Sequence, residues 1–100
     1  MKFALKLHKD VEKQLVRIPK KQRDKLVSAM RSLCEEPRPS GCVKLEDILY
    51  RIREGEYRII YAILEEEVVV LICKVTRRTE STYRDIRILL NKAIRQSSKY

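Results

Sequence analysis

The chain is poor in the residues from which many enzyme sites are built. Its 100 residues include no tryptophan, one histidine and two glycines. One histidine cannot form a histidine acid–base pair, and two isolated glycines do not make a phosphate-cradling loop. His8 ends a predicted strand, where we expect a structural or surface role. The acidic run Glu65–Glu67 is typical of a solvated turn. We therefore expect no cofactor and no bound metal ion.

The three cysteines do not form a recognisable metal or redox motif. Cys34, Cys42 and Cys73 are odd in number, and no pair has CxxC spacing. Cys73 lies in an apolar run, which predicts a small core residue. Cys42 lacks a general base nearby in sequence, so we expect it to be inert and not a nucleophile. Reduced thiols in a cytoplasmic protein are the simplest interpretation.

Long apolar runs are also missing. No segment is long enough to span a bilayer, and lysines interrupt the apolar residues of the N-terminal MKFALKLHKD. The N-terminus therefore does not read as a signal peptide. The length predicts a single domain, residues 1–100.

Positive charge is abundant. Lysine and arginine number 23 against 14 acidic residues, for a net charge of +9 and an isoelectric point near 9.7. This balance favours a polyanionic partner, whether RNA, DNA, the ribosome, an acidic membrane surface or an acidic protein. A basic protein without such a partner is the alternative.

Hydrophobic periodicity predicts an α+β fold. A strand over residues 2–8 is followed by a helical hairpin, with a first helix ending at Pro19 and a second over about 20–35. Asp10 is the predicted cap of the first helix. The strand-like runs 42–53, 57–64 and 68–77 then form a three-stranded antiparallel meander. A C-terminal helix completes the fold, with Thr82 as its cap and Asp85 at the capping-box position.

Alternation on the last two strands predicts which residues share a sheet face. A three-residue turn at Glu65–Glu67 would place Val69, Leu71, Cys73 and Val75 on the buried face with Tyr57, Ile59, Tyr61 and Ile63. The same register places Lys74, Thr76 and Arg78 on the face that carries Arg58.

The segment YRIREGEYRIIY, residues 50–61, predicts a β-hairpin with arginines on one face. A two-residue turn at Glu54–Gly55 places Arg51 opposite Arg58, whereas a four-residue turn places Arg53 there. Either register makes a like-charge pair, which is destabilising by itself. A site that binds a polyanion explains such a pair.

More basic residues follow the hairpin. The last predicted strand ends with Lys74, Arg77 and Arg78, and it is followed by Tyr83 and Arg84. Residues 74–95 carry a net charge of +5. A solvated face of snorkelling side chains is the alternative, but convergence at one end of the sheet favours an anion site. Such a site can cleave RNA without a metal ion, because the ribose 2′-OH is an internal nucleophile. Tyr83 and Lys74 are the better proton carriers, since arginine is a poor base.

Two segments together resemble the RelE branch of the RelE/ParE superfamily of toxins. They are PRPSGCVKLEDILYRIREGEYRIIYAI, residues 37–63, and VTRRTESTY, residues 75–83. The resemblance implies a ribosome-dependent, metal-independent endoribonuclease that cleaves messenger RNA in the A site. It also implies a type II toxin–antitoxin system with a RelB-like antitoxin as the partner, and no membrane partner.

The resemblance also assigns site residues. Arg51 and Arg53 match basic residues near the scissile region, and Arg58 matches the arginine linked to transition-state charge. Arg78 matches a late arginine linked to the leaving group or phosphate, and Tyr83 a tyrosine that stacks on the substrate base. We expect Lys44, Lys74, Arg77 and Arg84 to bind RNA. Two alternatives are a ParE-like inhibitor of DNA gyrase, and an inactive homologue that acts only as an antitoxin-binding corepressor.

Overall fold

A five-stranded sheet forms the centre of the computed structural model, which describes residues 2–78 and 86–96. In chain order the elements are β1 (Ala4–Leu7), α1 (Lys9–Val16), α2 (Lys20–Glu35), β2 (Val43–Glu46), β3 (Leu49–Glu54), β4 (Tyr57–Leu64), β5 (Val69–Arg77) and α3 (Ile86–Gln96). The strands lie in the order β1-β5-β4-β3-β2. Among the described strands, only the β1–β5 pair is parallel. The predicted α+β class is confirmed.

Helices cover both faces of the sheet. On one side, called the hairpin face after the helical hairpin of α1 and α2, these two helices pack their apolar stripes against the strands. The residues involved are Val11, Leu15, Leu26, Met30 and Leu33. On the other side Leu89 and Ala93 of α3 pack over Leu49, Ile60 and Ala62. The central strand β4 is therefore buried on both faces. The predicted helical hairpin over one sheet face is confirmed.

The segment predicted as one strand over 42–53 forms two. The chain reverses at Asp47, whose φ of 48° is a left-handed conformation that a short polar side chain tolerates. Strand β2 then pairs back on β3, with Val43 opposite Arg51 and Lys44 opposite Tyr50. The antiparallel part of the sheet consequently has four strands instead of three.

The predicted facing of β5 is wrong in its first half and right in its second. Four residues, Glu65–Val68, separate the paired Leu64 and Val69, one more than expected. This turns Val70 and Ile72, instead of Leu71 and Cys73, toward the hairpin face. A β-bulge next to the Ile60–Lys74 pair then restores the expected phase, with Ile59 opposite Val75. Lys74 and Thr76 therefore lie on the face of Arg58, as predicted.

Helix α1 begins one residue before the expected cap. His8, not Asp10, is its N-cap, and the His8 Nδ1 accepts a hydrogen bond of 3.1 Å from the Asp10 backbone N–H. The histidine is buried and structural, as expected. The predicted caps of the last helix, Thr82 and Asp85, lie outside the described residues. Within the described ranges no helix is both long and apolar enough to cross a membrane.

Candidate nucleic-acid interface

Two arginines stand opposite one another on the central hairpin. Of the two predicted registers, the structure has the one that pairs Arg53 with Arg58, and Glu54 then pairs with Tyr57. The two-residue turn is Gly55–Glu56, and the φ of 60° at Gly55 explains the glycine. Both guanidinium groups thus extend from the same side of the sheet, called the arginine face. Like charges opposite one another destabilise the hairpin and attract an anion.

The end of β5 is tied to this hairpin. Arg58 pairs with Thr76, and the backbone N–H of Arg78 donates a hydrogen bond of 2.8 Å to the Glu56 carbonyl oxygen. A cleft of about 320 Å³ opens there, lined by Glu56, Arg58, Arg77 and Arg78. We call it the reaction cleft. Three guanidinium groups around one opening suit a phosphate, which accepts their forked hydrogen bonds.

Arg77 belongs to the rim of this cleft. Strand alternation places it with Tyr57 on the hairpin face, and its guanidinium carbon lies 5.8 Å from the centroid of the Tyr57 ring. That distance is a cation–π contact. Both Arg77 and Arg78 are exposed and can meet a ligand from solvent.

Arg51 lies on the same face but deeper than Arg53. It pairs with Ile60, beside the apolar cluster under α3, and only 9% of its surface is exposed. Within the described part of the chain its buried Nε has no hydrogen-bond partner. A second cleft of about 410 Å³ opens beside it, lined by Ser40, Gly41, Arg51, Ile52 and Arg53.

Lys74 is half-buried and joins a different cleft, between α1, β5 and α3. The Lys92 ammonium donates a hydrogen bond of 3.0 Å to the Asp10 carboxylate there. Nearby, the Gln14 side-chain oxygen accepts a hydrogen bond of 2.9 Å from the Val75 backbone N–H. Gln14 thereby stabilises the strand just after its bulge, in the stretch that carries the basic residues.

Not all the predicted residues come together. Lys44 pairs with Tyr50 and therefore lies on the hairpin face, away from Arg51, Arg53 and Arg58. Tyr83 and Arg84 lie outside the described residues. Among residues 2–78 and 86–96 no group of three or more His, Cys, Asp or Glu side chains could hold a metal ion.

The segment EPRPSG, residues 36–41, is predicted from sequence as a loop, but its role as a wall of the second cleft is not. Arg38 bonds both to the Tyr50 hydroxyl, at 3.2 Å, and to the Glu65 carboxylate, at 2.6 Å. The buried Tyr61 hydroxyl donates a hydrogen bond of 2.6 Å to the Pro37 carbonyl oxygen. These bonds fix the loop that carries Ser40 and Gly41. The two prolines and the glycine of EPRPSG were the available signal that the loop has a defined shape.

Comparisons with known proteins agree on one family. A family model described as the ParE toxin of type II toxin–antitoxin systems, parDE, matches residues 5–82. The RelE1 protein of Methanocaldococcus jannaschii is 31% identical over 90 residues, covering 85% of this chain and 99% of that protein.

Solved structures share the fold. A chain of the archaeal RelE–RelB complex from Pyrococcus horikoshii OT3 has a TM-score of 0.73 and 33% identity, covering 81% of this chain and 100% of its own length. The isolated E. coli RelE toxin has a TM-score of 0.69 and 21% identity, covering 92% and 98%. The matched residues include the hairpin and β5, the two elements that build the reaction cleft. The chain therefore belongs to the RelE/ParE superfamily of type II toxin–antitoxin toxins.

Proposed function

We propose that this toxin is a ribosome-dependent endoribonuclease that cleaves messenger RNA in the A site. The observation that carries the proposal is the convergence of Arg53, Arg58 and Arg78 at one end of the sheet. The pairing of two arginines costs stability and is explained by an anionic substrate. The likeness to RelE proteins supports RNA as that substrate.

The reaction needs no metal ion. The 2′-oxygen forms a bond to phosphorus while the bond from phosphorus to the 5′-oxygen breaks, which leaves a cyclic phosphate and a free 5′-hydroxyl. A base takes the 2′-proton, and an acid gives a proton to the departing 5′-oxygen. Arg58 neutralises the charge that develops on the phosphoryl oxygens. Arg53 binds near the scissile phosphate. Arg78 binds the scissile phosphate or the departing 5′-oxygen.

Arginines keep their protons near neutral pH, so other groups must transfer the protons. We assign this transfer to Tyr83 or Lys74, and assign to Tyr83 the stacking of the substrate base. Arg77 and Arg84 bind the flanking RNA backbone, and Arg51 contributes to the same site. Because Lys44 lies on the opposite face, we leave it out of the proposed site.

The test is expression in a bacterial host followed by primer extension on translated messages. We expect growth arrest with new cleavage sites within codons. Arg78→Ala and Tyr83→Ala should relieve the arrest, whereas Arg31→Ala, an exposed arginine on α2 away from the cleft, should not. Growth arrest without new cleavage sites would count against the nuclease. Arrest unchanged in both site variants would contradict the residue assignment.

Inhibition of DNA gyrase is the second candidate, favoured by the ParE description of the matching family model. Its signature is a DNA-damage response with intact messages. Harmless expression at high level would instead indicate an inactive homologue that serves as an antitoxin-binding corepressor. The same expression experiment therefore separates the three functions.

The proposed partner is a separately encoded, partly acidic antitoxin similar to RelB. Support comes from the solved RelE–RelB complexes from P. horikoshii and Mycobacterium tuberculosis. We propose that it covers the basic clefts or displaces α3, which is held by the Asp10–Lys92 ion pair. A net charge of +9 favours fast, salt-sensitive association. Activity that persists after the cognate antitoxin is added would contradict this.

A further inference from the structure

We propose that the cleft beside Arg51 is a second phosphate subsite, which takes the phosphate next to the scissile one on the same RNA strand. The inference rests on the proposed function, because RNA supplies both phosphates. It gives Arg51 a binding role distinct from the chemistry in the reaction cleft. It also brings the Ser40–Gly41 loop into substrate recognition.

The first argument is the state of Arg51 itself. As a whole residue Arg51 is 9% exposed, so its side chain has given up most of its water, yet its buried Nε has no hydrogen-bond partner among the described residues. A buried polar group without a partner costs free energy, and a charged group costs more. Such an exception calls for an explanation. An anion in the adjoining cleft, which Arg51 lines, would offset the cost of burying this charge.

The second argument is that the cleft is already shaped. Its volume of about 410 Å³ has room for a phosphate, and Ser40 adds a hydroxyl to the lining. The φ of 90° at Gly41 sets the turn, and the Cys42 backbone N–H closes it with a bond of 3.0 Å to the Pro39 carbonyl oxygen. The bonds of Arg38 and Tyr61 fix the start of the same loop. A fixed wall binds a ligand without a large ordering cost.

The third argument is the distance between the two clefts. Arg53 lines the second cleft, and its cross-strand partner Arg58 lines the reaction cleft. Directly opposed residues of an antiparallel strand pair have Cβ atoms about 4.5–5.5 Å apart, so the two clefts are adjacent. Two anion subsites thus share one strand pair and suit consecutive phosphates.

The test uses short single-stranded 2′-deoxy oligonucleotides with one, two or three internal phosphates, which the toxin cannot cleave. They are titrated at low salt while the arginine Nε–H signals are followed by ¹⁵N NMR, with the Arg51 signal assigned by its loss in Arg51→Lys. We expect the Arg51 signal to shift when the ligand has two phosphates but not when it has one. A signal that never shifts, or a chain that binds none of these ligands, overturns the proposal.

Affinity supplies a second, independent measurement. In the wild type the second phosphate should tighten binding by about tenfold, as expected for a hydrogen bond to a charged group. In Arg51→Met this increment should disappear. The negative slope of the logarithm of the association constant against the logarithm of the salt concentration should become shallower by about 0.7. Arg31→Met, on the exposed side of α2, should keep both the increment and the slope. An increment retained in Arg51→Met overturns the subsite even if that variant is less stable.

Failure of this inference and failure of the nuclease proposal look different. If messages are cleaved on the ribosome but the gain in affinity from a second phosphate does not depend on Arg51, only the second subsite is refuted. Arg51-dependent binding of two phosphates without any cleavage would refute only the nuclease. In that case the subsite would stand as part of a nucleic-acid-binding surface.

Discussion

Arg53 on β3 and Arg58 on β4 are directly opposed cross-strand partners, and both lie on the arginine face of the sheet. We predict that Arg53→Gln raises the free energy of unfolding by about 0.2–1 kcal/mol at low salt, because it removes a like-charge pair. Salt should shrink this gain, since it screens the repulsion. Cleavage should fall in the same variant. Thermal unfolding at two ionic strengths, beside primer extension, checks both effects.

Arg31→Gln on α2 is the matched control, and it should change neither stability nor cleavage. Loss of stability in Arg53→Gln would mean that Arg53 holds the hairpin together. The stability of the hairpin would then explain the Arg53–Arg58 pair without an anionic substrate.

The Tyr61 hydroxyl is a buried link between β4 and the loop that walls the second cleft. It donates a hydrogen bond to the Pro37 carbonyl oxygen, and burial raises the pKa of the phenol, so it stays protonated. Tyr61→Phe should lower the free energy of unfolding by about 1–3 kcal/mol, because a buried carbonyl loses its donor. Tyr50→Phe, which removes the acceptor of a partly exposed Arg38 bond, should cost less. Denaturant titration compares the two, and equal losses would contradict the difference in burial.

The Asp10–Lys92 ion pair ties α3 to α1. The Lys92 hydrogen bond holds the pKa of the Asp10 carboxyl below its ordinary value of 3.8. A lowered folded-state pKa stabilises the fold fully above the unfolded-state value, and this contribution is lost as the pH falls through the folded-state pKa. We predict that Asp10→Asn speeds hydrogen exchange of the α3 amides at neutral pH, and that the wild type approaches the variant below pH 3.8.

Asp24→Asn is the control for this ion pair. Its carboxyl is paired with Lys20 inside α2, and the pKa is lowered in the same way, but the pair does not touch α3. Exchange in α3 should therefore be unchanged. Faster α3 exchange in Asp24→Asn would show that the Asp10 result reports general loosening.

The three thiols should differ in reactivity. Burial raises the pKa of the Cys73 thiol to about 12 and raises that of Cys34 as well, whereas Cys42 is half-buried in the loop before β2. Because the thiolate is the reactive form, iodoacetamide at pH 8 should label Cys42 first in the folded protein. Mass spectrometry over time measures the order, and Cys42→Ser should remove the fast phase. Early labelling of Cys73 would contradict the buried position.

Local patterns predicted most elements, but the exact phase of the strands came from packing. Both helices of the hairpin, β1 and the β3–β4 hairpin follow periodicities of 3.6 and 2 that a single segment displays. The extra residue before Val69 and the bulge near Lys74 are not visible in such a pattern, because both are chosen by contacts on two buried faces. Their effects cancel, so the basic end of β5 was predicted correctly although its middle was not.

The basic charge, the α+β class and the arginines on one side of a hairpin follow from the sequence alone, since charge and alternation are properties of the chain. Which arginine opposes Arg58 depends on the tertiary structure, because the turn that forms must satisfy the pairing of whole strands. The burial of Arg51 beside Ile60, while Arg53 reaches solvent, is also a result of tertiary packing. Two residues of one type, two positions apart, thus have different surroundings, because burial depends on what the rest of the chain packs over each of them.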